Sequence, residues 1–249
     1  MRPVPAVSRA IAILRLLGRA TEPMSMKEIA TALKLVPSTG LHILRVLVEE
    51  ELVRVDAATK RYRLGSGMVG LARSALEGTG FATLAQPVLD RLSRKWGMST
   101  MGVEITQSNH MVVLALSRSQ APFRLHVDVG SRFPVLVSAT GRLVAAFGGE
   151  TWPQLEKKFK AVRWEKPVSM AAWKKEVDSA RRTGYAVDRD TYISGVTIVA
   201  VPLLDAGGKI THTLVAAGLS DHLNAANQVK LAGELMEEAA ALSPMLGLG

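Results

Sequence analysis

The chain has 249 residues, of which 48% are hydrophobic and 21% charged, and it contains no cysteine. This composition excludes disordered and fibrous classes, and the absence of cysteine excludes a disulfide framework, thiol catalysis and Cys-ligated zinc. Thirty-one Lys+Arg against 22 Asp+Glu leave a net charge of +9, an excess that favours a polyanionic partner, either nucleic acid or an anionic membrane surface.

The basic excess is densest at the front, where residues 1–83 carry 12 Lys+Arg against 7 Asp+Glu. Val7, Ala10, Ile11, Leu14 and Leu17 recur at helical spacing behind Ser8 as a possible N-cap, and Gly18 closes this first helix. Ser25-Met-Lys-Glu28 is a capping-box pattern that opens a second helix through Ile29, Ala30 and Leu33. Pro37 stands at the first turn of a third helix that runs to about Glu50. That helix has two faces: Leu41, Leu44, Leu47 and Val48 form an apolar stripe, and Ser38, His42, Arg45 and Glu49 share another side. Two short strands, Leu52–Val55 and Tyr62–Leu64, flank the polar turn 56–61. Helix, helix, tight turn, helix and hairpin make a winged helix-turn-helix.

Glycines at 65, 67, 70, 78 and 80 mark a junction. Behind it the pattern predicts helices over 84–96, 140–147, 153–159, 169–182 and 225–242, the last with Val229, Ala232, Leu235, Ala239 and Leu242 inward. Strands are expected over 101–106, 111–116, 123–129, 196–204 and 210–219, with Asp205-Ala-Gly-Gly208 as a hairpin signal. The expected fold is α+β. Residues 1–65 form the winged helix-turn-helix, 66–83 a linker helix, and 84–249 a second domain around a largely antiparallel sheet.

A helix with a short polar stripe fits the major groove of B-DNA, where side chains distinguish base edges. Ser38, Thr39, His42 and Arg45 are the candidate reading residues. Lys60 and Arg61 at the hairpin tip, and Lys27 at the start of the second helix, are candidates for positioning on phosphates or the minor groove. The competing readings are a winged-helix module that binds protein, and a small-molecule or metal sensor without direct DNA readout. No apolar run reaches the ~18 residues of a bilayer span, and Arg9, Arg15 and Arg19 interrupt any signal-peptide core, so a cytoplasmic protein without a membrane partner is expected. No dinucleotide fingerprint, P-loop, nucleophile elbow or zincin motif occurs. The five histidines (42, 110, 126, 212 and 222) are scattered, and His126-Val-Asp128 alone pairs two metal-ligand types. Neither a catalytic activity nor a cofactor is expected.

Val7-Ser-Arg-Ala-Ile-Ala-Ile-Leu14, Glu28-Ile-Ala30, Leu35-Val-Pro-Ser-Thr39, Leu44-Arg-Val-Leu47 and Tyr62-Arg-Leu-Gly65 resemble the DNA-binding half of IclR-type bacterial transcriptional regulators. The resemblance continues through Ala85-Gln-Pro-Val-Leu-Asp-Arg-Leu92, Ser138-Ala-Thr-Gly-Arg142, Gly184-Tyr-Ala-Val-Asp188, Gly195 and Ala200-Val-Pro-Leu203. Two segments depart from the family pattern: Gly40-Leu-His42 stands where a β-branched residue, another residue and Arg are usual, and Met98-Ser-Thr100 replaces Gly-Glu-Thr.

The resemblance implies a GAF-like rear domain that binds a small catabolic acid, and a homodimer or a homotetramer built as a dimer of dimers on a pseudo-palindromic operator. Carried over by position, the effector pocket is lined near Ala139, Thr140, Asp188, Ile198, Val215 and Ala217. The last three are apolar here where the glyoxylate- or pyruvate-sensing relatives carry small polar groups, which implies an aromatic or otherwise apolar carboxylate. The amides at Thr140, Arg124 or Arg189 are the candidates for meeting its charge.

Overall fold

The computed structural model describes residues 4–77, 80–120, 125–162, 164, 166 and 168–248. The chain divides into two compact units, Met1–Ala75 and Leu76–Gly249.

In the first unit, helix α1 spans Pro5–Arg19. Its N-cap is Val4 with Pro5 at the first turn rather than Ser8, because the proline brings a helical φ and no amide left to satisfy. Ile13 and Leu17 are its buried residues, whereas Val7 and Ile11 of the expected stripe are exposed. Strand β1 (Met24–Ser25) leads into α2 (Met26–Leu33). The capping box forms in full: the Glu28 amide donates to Ser25 Oγ at 3.3 Å, and the Ser25 amide donates to the Glu28 carboxylate at 2.6 Å. These bonds, the Ser25 amide first, hold the Glu28 carboxyl below its usual range.

Lys34 ends α2 in the left-handed region, and α3 (Pro37–Glu49) follows after a bend of 115°, within the range of helix-turn-helix pairs. Gly40, Leu44 and Leu47 are its buried residues, and Leu44 and Leu47 join Ile13, Leu17, Ile29 and Val53 in one small core. Leu41 of the expected stripe is only partly buried. Strands β2 (Val53–Val55) and β3 (Arg61–Leu64) form the wing, with β3 between β1 and β2. Its turn is built on Asp56, whose Oδ1 accepts from the Ala58 and Thr59 amides and the Thr59 hydroxyl. Gly65 then passes the end of α3 so closely that a Cβ there would sit 2.1 Å from the Glu51 carbonyl oxygen, which is why glycine is required.

Helix α4 (Gly67–Glu77) leaves the wing. Residues 81–83 do not extend it. They open α5 (Phe81–Trp96), because Phe81 is fully buried in the core of the second unit.

The second unit is a six-stranded antiparallel sheet in the order β6-β5-β4-β9-β8-β7, comprising β4 (Ser99–Ile105), β5 (His110–Ser117), β6 (Arg132–Pro134), β7 (Ala186–Arg189), β8 (Val196–Leu204) and β9 (Ile210–Leu219). Helices α5 and α9 (Ala225–Met245) cover one face, with Leu89, Leu92, Leu214, Leu231 and Leu235 in a common core. Lys95 and Trp96 both donate to Glu234 across that pair, at 2.8 and 2.9 Å. Val229 lies on the solvent side of α9, against expectation. The other face packs on α6 (Ser138–Phe147), α7 (Trp152–Lys160) and α8 (Met170–Thr183) through a second core that contains Leu143, Leu155, Trp173 and Val177.

Two strands differ from the sequence reading. Residues 125–129 are not a strand (Phe123 and Arg124 lie outside the described residues); the edge beside β5 is instead taken by Arg132–Pro134, after the turn that Gly130 closes by donating to the Val113 carbonyl. Strand β7, pairing with β8, was not anticipated. In addition, β5 shifts register between Gly102 and Val103 of its partner β4, so Val113 faces the α6 side and Ala115 the α5 side although they are two residues apart. No single helix among the described residues is long and apolar enough to cross a membrane.

Candidate DNA interface and buried cavity

The edge of α3 away from its core is solvent-facing. Ser38, His42, Arg45 and Glu49 are exposed, and Thr39 partly so. The capping of α2, the 115° bend and the burial of Leu44 and Leu47 together fix that edge outward. Lys27 and Lys60 are exposed as well, with Lys60 in the left-handed region at the wing turn. Arg61 is differently placed. Its guanidinium donates to the Pro23 carbonyl at 2.8 Å and to the Glu28 carboxylate at 3.3 Å, so it ties the wing to the start of α2. Sequence reading missed Arg54 and Arg63, which face one another across β2 and β3 with both side chains exposed. The alternation of this short hairpin was the signal available. Like charges directly opposite one another are destabilising, so this pair is suited to a polyanion that lies across both.

In the second unit a small cavity of about 60 Å³ opens between the sheet and the start of α6. Four strands supply its floor: Met111 and Val113 from β5, Met101 and Val103 from β4, Val215 and Ala217 from β9, and Ile198 from β8. Register explains the grouping, since Met101 pairs with Val215 and Ile198 with Ala217. Leu125, Val127, Phe133, Val137, Tyr192 and Ile193 complete the wall, and Ser138, Thr140 and Tyr192 are the lining residues that bear a hydroxyl. Burial, reinforced by the charge of Asp188, pushes the Tyr192 phenol up from its usual pKa and keeps it a donor.

Thus Thr140, Ile198, Val215 and Ala217 of the sequence candidates line this space. Ala139 is buried beside it in the core and is not part of the lining. Asp188 also lies outside the lining and is fully buried. One oxygen accepts from Arg142 Nη1 at 2.7 Å, and the other accepts from the Thr191 and Tyr192 amides at 3.2 Å each. Arg142, 1% exposed, also donates to the Ser138 carbonyl at 2.8 Å and to Glu176 at 2.6 Å. A buried charge is tolerated only with such partners, and they occupy both oxygens of Asp188. Arg189 is turned away, donating to the Ser220 and Leu223 carbonyls; Arg124 lies outside the described residues.

The Ser138-Ala-Thr-Gly-Arg142 segment now has a physical account. Ser138 sits in the left-handed region at φ 58°, and no side chain caps α6. A Cβ on Gly141 would lie 2.1 Å from the Leu136 carbonyl carbon and oxygen, so only glycine lets the entering chain fold back over the helix. The first turn of α6 is thereby brought to the cavity with its amides directed along the helix axis, a place suited to an anion. Among the described residues no group of three or more His, Cys, Asp or Glu gathers as a metal site. The strand expected to align His126 with Asp128 is not formed, and Asp128 instead accepts from Arg118.

An exposed recognition helix with a basic wing, followed by an α+β unit that encloses an apolar cavity, defines a DNA-binding regulator with a GAF-like sensing domain. Residues 6–57 match the IclR helix-turn-helix domain, and residues 73–244 match the C-terminal domain of IclR-type bacterial transcriptional regulators. The chain belongs to the IclR family. It is 25% identical over 253 residues to the HTH-type transcriptional repressor AllR of Escherichia coli K12, an alignment that covers 98% of this chain and 90% of that protein. The fold is similar to that of an IclR-type regulator from Alicyclobacillus acidocaldarius (TM-score 0.86, 23% identity, 99% and 100% of the two chains). It is also similar to that of an IclR homologue from Microbacterium hydrocarbonoxydans crystallised with 4-hydroxybenzoate (TM-score 0.78, 20% identity, 97% and 98% of the chains).

Proposed function

We propose that this regulator is a cytoplasmic homodimer or dimer of dimers that reads a pseudo-palindromic operator through α3, and that a small aromatic carboxylate in the cavity shifts its operator affinity. On this reading Arg45, with Ser38, Thr39 and His42, meets base edges or neighbouring phosphates. Lys27, Lys60, Arg54 and Arg63 hold phosphates, where they position without specifying. Arg61 acts indirectly by holding the wing to α2. Val7 and Ile11, left exposed on α1, suit pairing with a second copy, and a two-fold dimer presents two recognition helices to successive half-sites.

The observation that carries the effector reading is the composition of the cavity wall, apolar on every strand and hydroxylic only at Ser138, Thr140 and Tyr192. Burying a ring of phenylalanine size contributes about 1.5–3 kcal/mol. A carboxylate left without partners would cost far more, so the acid group belongs at the first turn of α6 and a ring hydroxyl near Tyr192. The complex of the Microbacterium homologue with 4-hydroxybenzoate supports this chemical class. The test is calorimetric titration of wild type and Ile198→Arg with 4-hydroxybenzoate, benzoate and glyoxylate. Preferential binding of the aromatic acids, lost in the variant, is expected; preference for glyoxylate, or binding that Ile198→Arg leaves intact, contradicts the assignment.

A further inference from the structure

Asp188 touches no part of the cavity surface, yet it holds what does. Its Oδ1 accepts from two consecutive amides, those of Thr191 and Tyr192, at the head of the loop 190–195. Tyr192 and Ile193 of that loop form one wall of the cavity. The lining also includes Ser138, whose carbonyl accepts from the same Arg142 nitrogen that binds Asp188 Oδ2, at 2.8 and 2.7 Å. One buried guanidinium therefore ties together two segments that line the cavity: the strained entry to α6 directly, and the loop 190–195 through Asp188. The far end of the loop is fastened separately, by the Gly195 amide and the Ser220 hydroxyl donating to Asp190 Oδ1 at 2.7 and 2.9 Å.

We infer that Arg142 and Asp188 are positioning residues for effector binding: the pair sets the distance between the α6 entrance and the Tyr192–Ile193 wall, and so the ligand size and affinity of the cavity, without touching the ligand. This rests on the cavity being the effector site. The physical reason lies in the acceptor geometry. A free loop would leave its two amides to water and let Tyr192 swing out, whereas a carboxylate anchored to a buried arginine offers a fixed acceptor. Removing one member of a buried ion pair leaves its partner uncompensated and destabilises the fold, so positioning is told apart from support by comparing variants that lose the same charge.

Asp188→Asn and Asp188→Ala separate positioning from mere support of the fold. Both remove the charge facing Arg142, but only asparagine keeps a carbonyl that can accept from the Thr191 and Tyr192 amides, with its NH2 then turned toward the Arg142 donor. Three readouts are taken on each full-length variant: thermal melting, hydrogen exchange of residues 190–195 without ligand, and calorimetric titration with 4-hydroxybenzoate. The expected result is cooperative melting in both variants, with exchange of the loop amides faster and 4-hydroxybenzoate binding weaker by about tenfold in Asp188→Ala than in Asp188→Asn. Equal exchange and equal affinity in the two variants would overturn the inference. Should Asp188→Ala not fold, Arg142→Lys decides the matter. Lysine cannot bridge Ser138, Asp188 and Glu176 together, so about tenfold weaker binding with cooperative melting supports the inference, and wild-type affinity contradicts it. If wild type binds no aromatic acid, the effector class fails while loop exchange still decides the role of Asp188.

Discussion

Two glycines in helices carry opposite predictions. Gly40 stands inside α3, and a Cβ built there meets nothing within 4 Å. Gly40→Ala is therefore expected to stabilise the first unit by about 0.5–1 kcal/mol, the ordinary cost of glycine in a helix, read as a higher denaturation midpoint. At Gly141 the added carbon would run into the Leu136 backbone at 2.1 Å, so Gly141→Ala is expected to cost about 1–3 kcal/mol or more and to perturb the cavity entrance with it. His212 gives the pH prediction. Its ring packs on Phe81 at 4.3 Å, its Nε2 is buried without a hydrogen-bond partner, and burial pushes its pKa down from 6.5 to about 4. Between those values the unfolded chain binds a proton that the folded protein refuses, so stability falls as pH drops from about 6.5 to about 4. Urea titrations of wild type and His212→Leu across that range should differ by on the order of 2 kcal/mol once screening at the partly exposed ring is allowed for. Parallel pH profiles would show that another group dominates.

At the scale of elements, on the proposed function α3 and the wing divide the work of DNA binding. Arg45→Ala is expected to cost about 1–3 kcal/mol on the operator and to relax the base preference under it. The double change Arg54→Ala with Arg63→Ala should weaken operator and random duplex alike and lower the salt dependence by roughly two ions. Competition gel shifts over a salt series distinguish the two effects. Local chemistry wrote much of this unit into the sequence: Ser25 and Glu28 announce a helix start, Pro37 a first turn, and Leu44 and Leu47 the inward face. The partners of Arg61 were not legible, because Pro23 and Glu28 come near it only when β1 pairs with β3. The cavity floor was partly legible from Ile198, Val215 and Ala217, which the family resemblance placed there by position. Met111, Val113 and Ala115 obscured the rest, since the register shift in β5 breaks the alternation that a sequence can display. Asp188 read as a pocket residue because its distant partner Arg142 is set by tertiary packing, 46 positions away in the chain.

For the whole molecule, regulation requires that the effector bind one arrangement better than another, and such coupling is typically ~1–3 kcal/mol. Assembly is the first requirement. Val7→Asp with Ile11→Asp introduces like charges on the exposed face of α1 without touching its buried residues Ile13 and Leu17. If α1 forms the proposed dimer contact, sedimentation should show a smaller species than wild type and a shallower operator isotherm; the same species as wild type would contradict that contact. The most direct measurement of the account is the affinity of the wild-type protein, by fluorescence anisotropy at a stated salt concentration, for the DNA upstream of its own gene against a random duplex of equal length. An outward-facing recognition helix predicts that the upstream fragment is bound about a thousandfold or more tighter. Equal affinity for both duplexes, or no binding to either in dilute buffer, would contradict it.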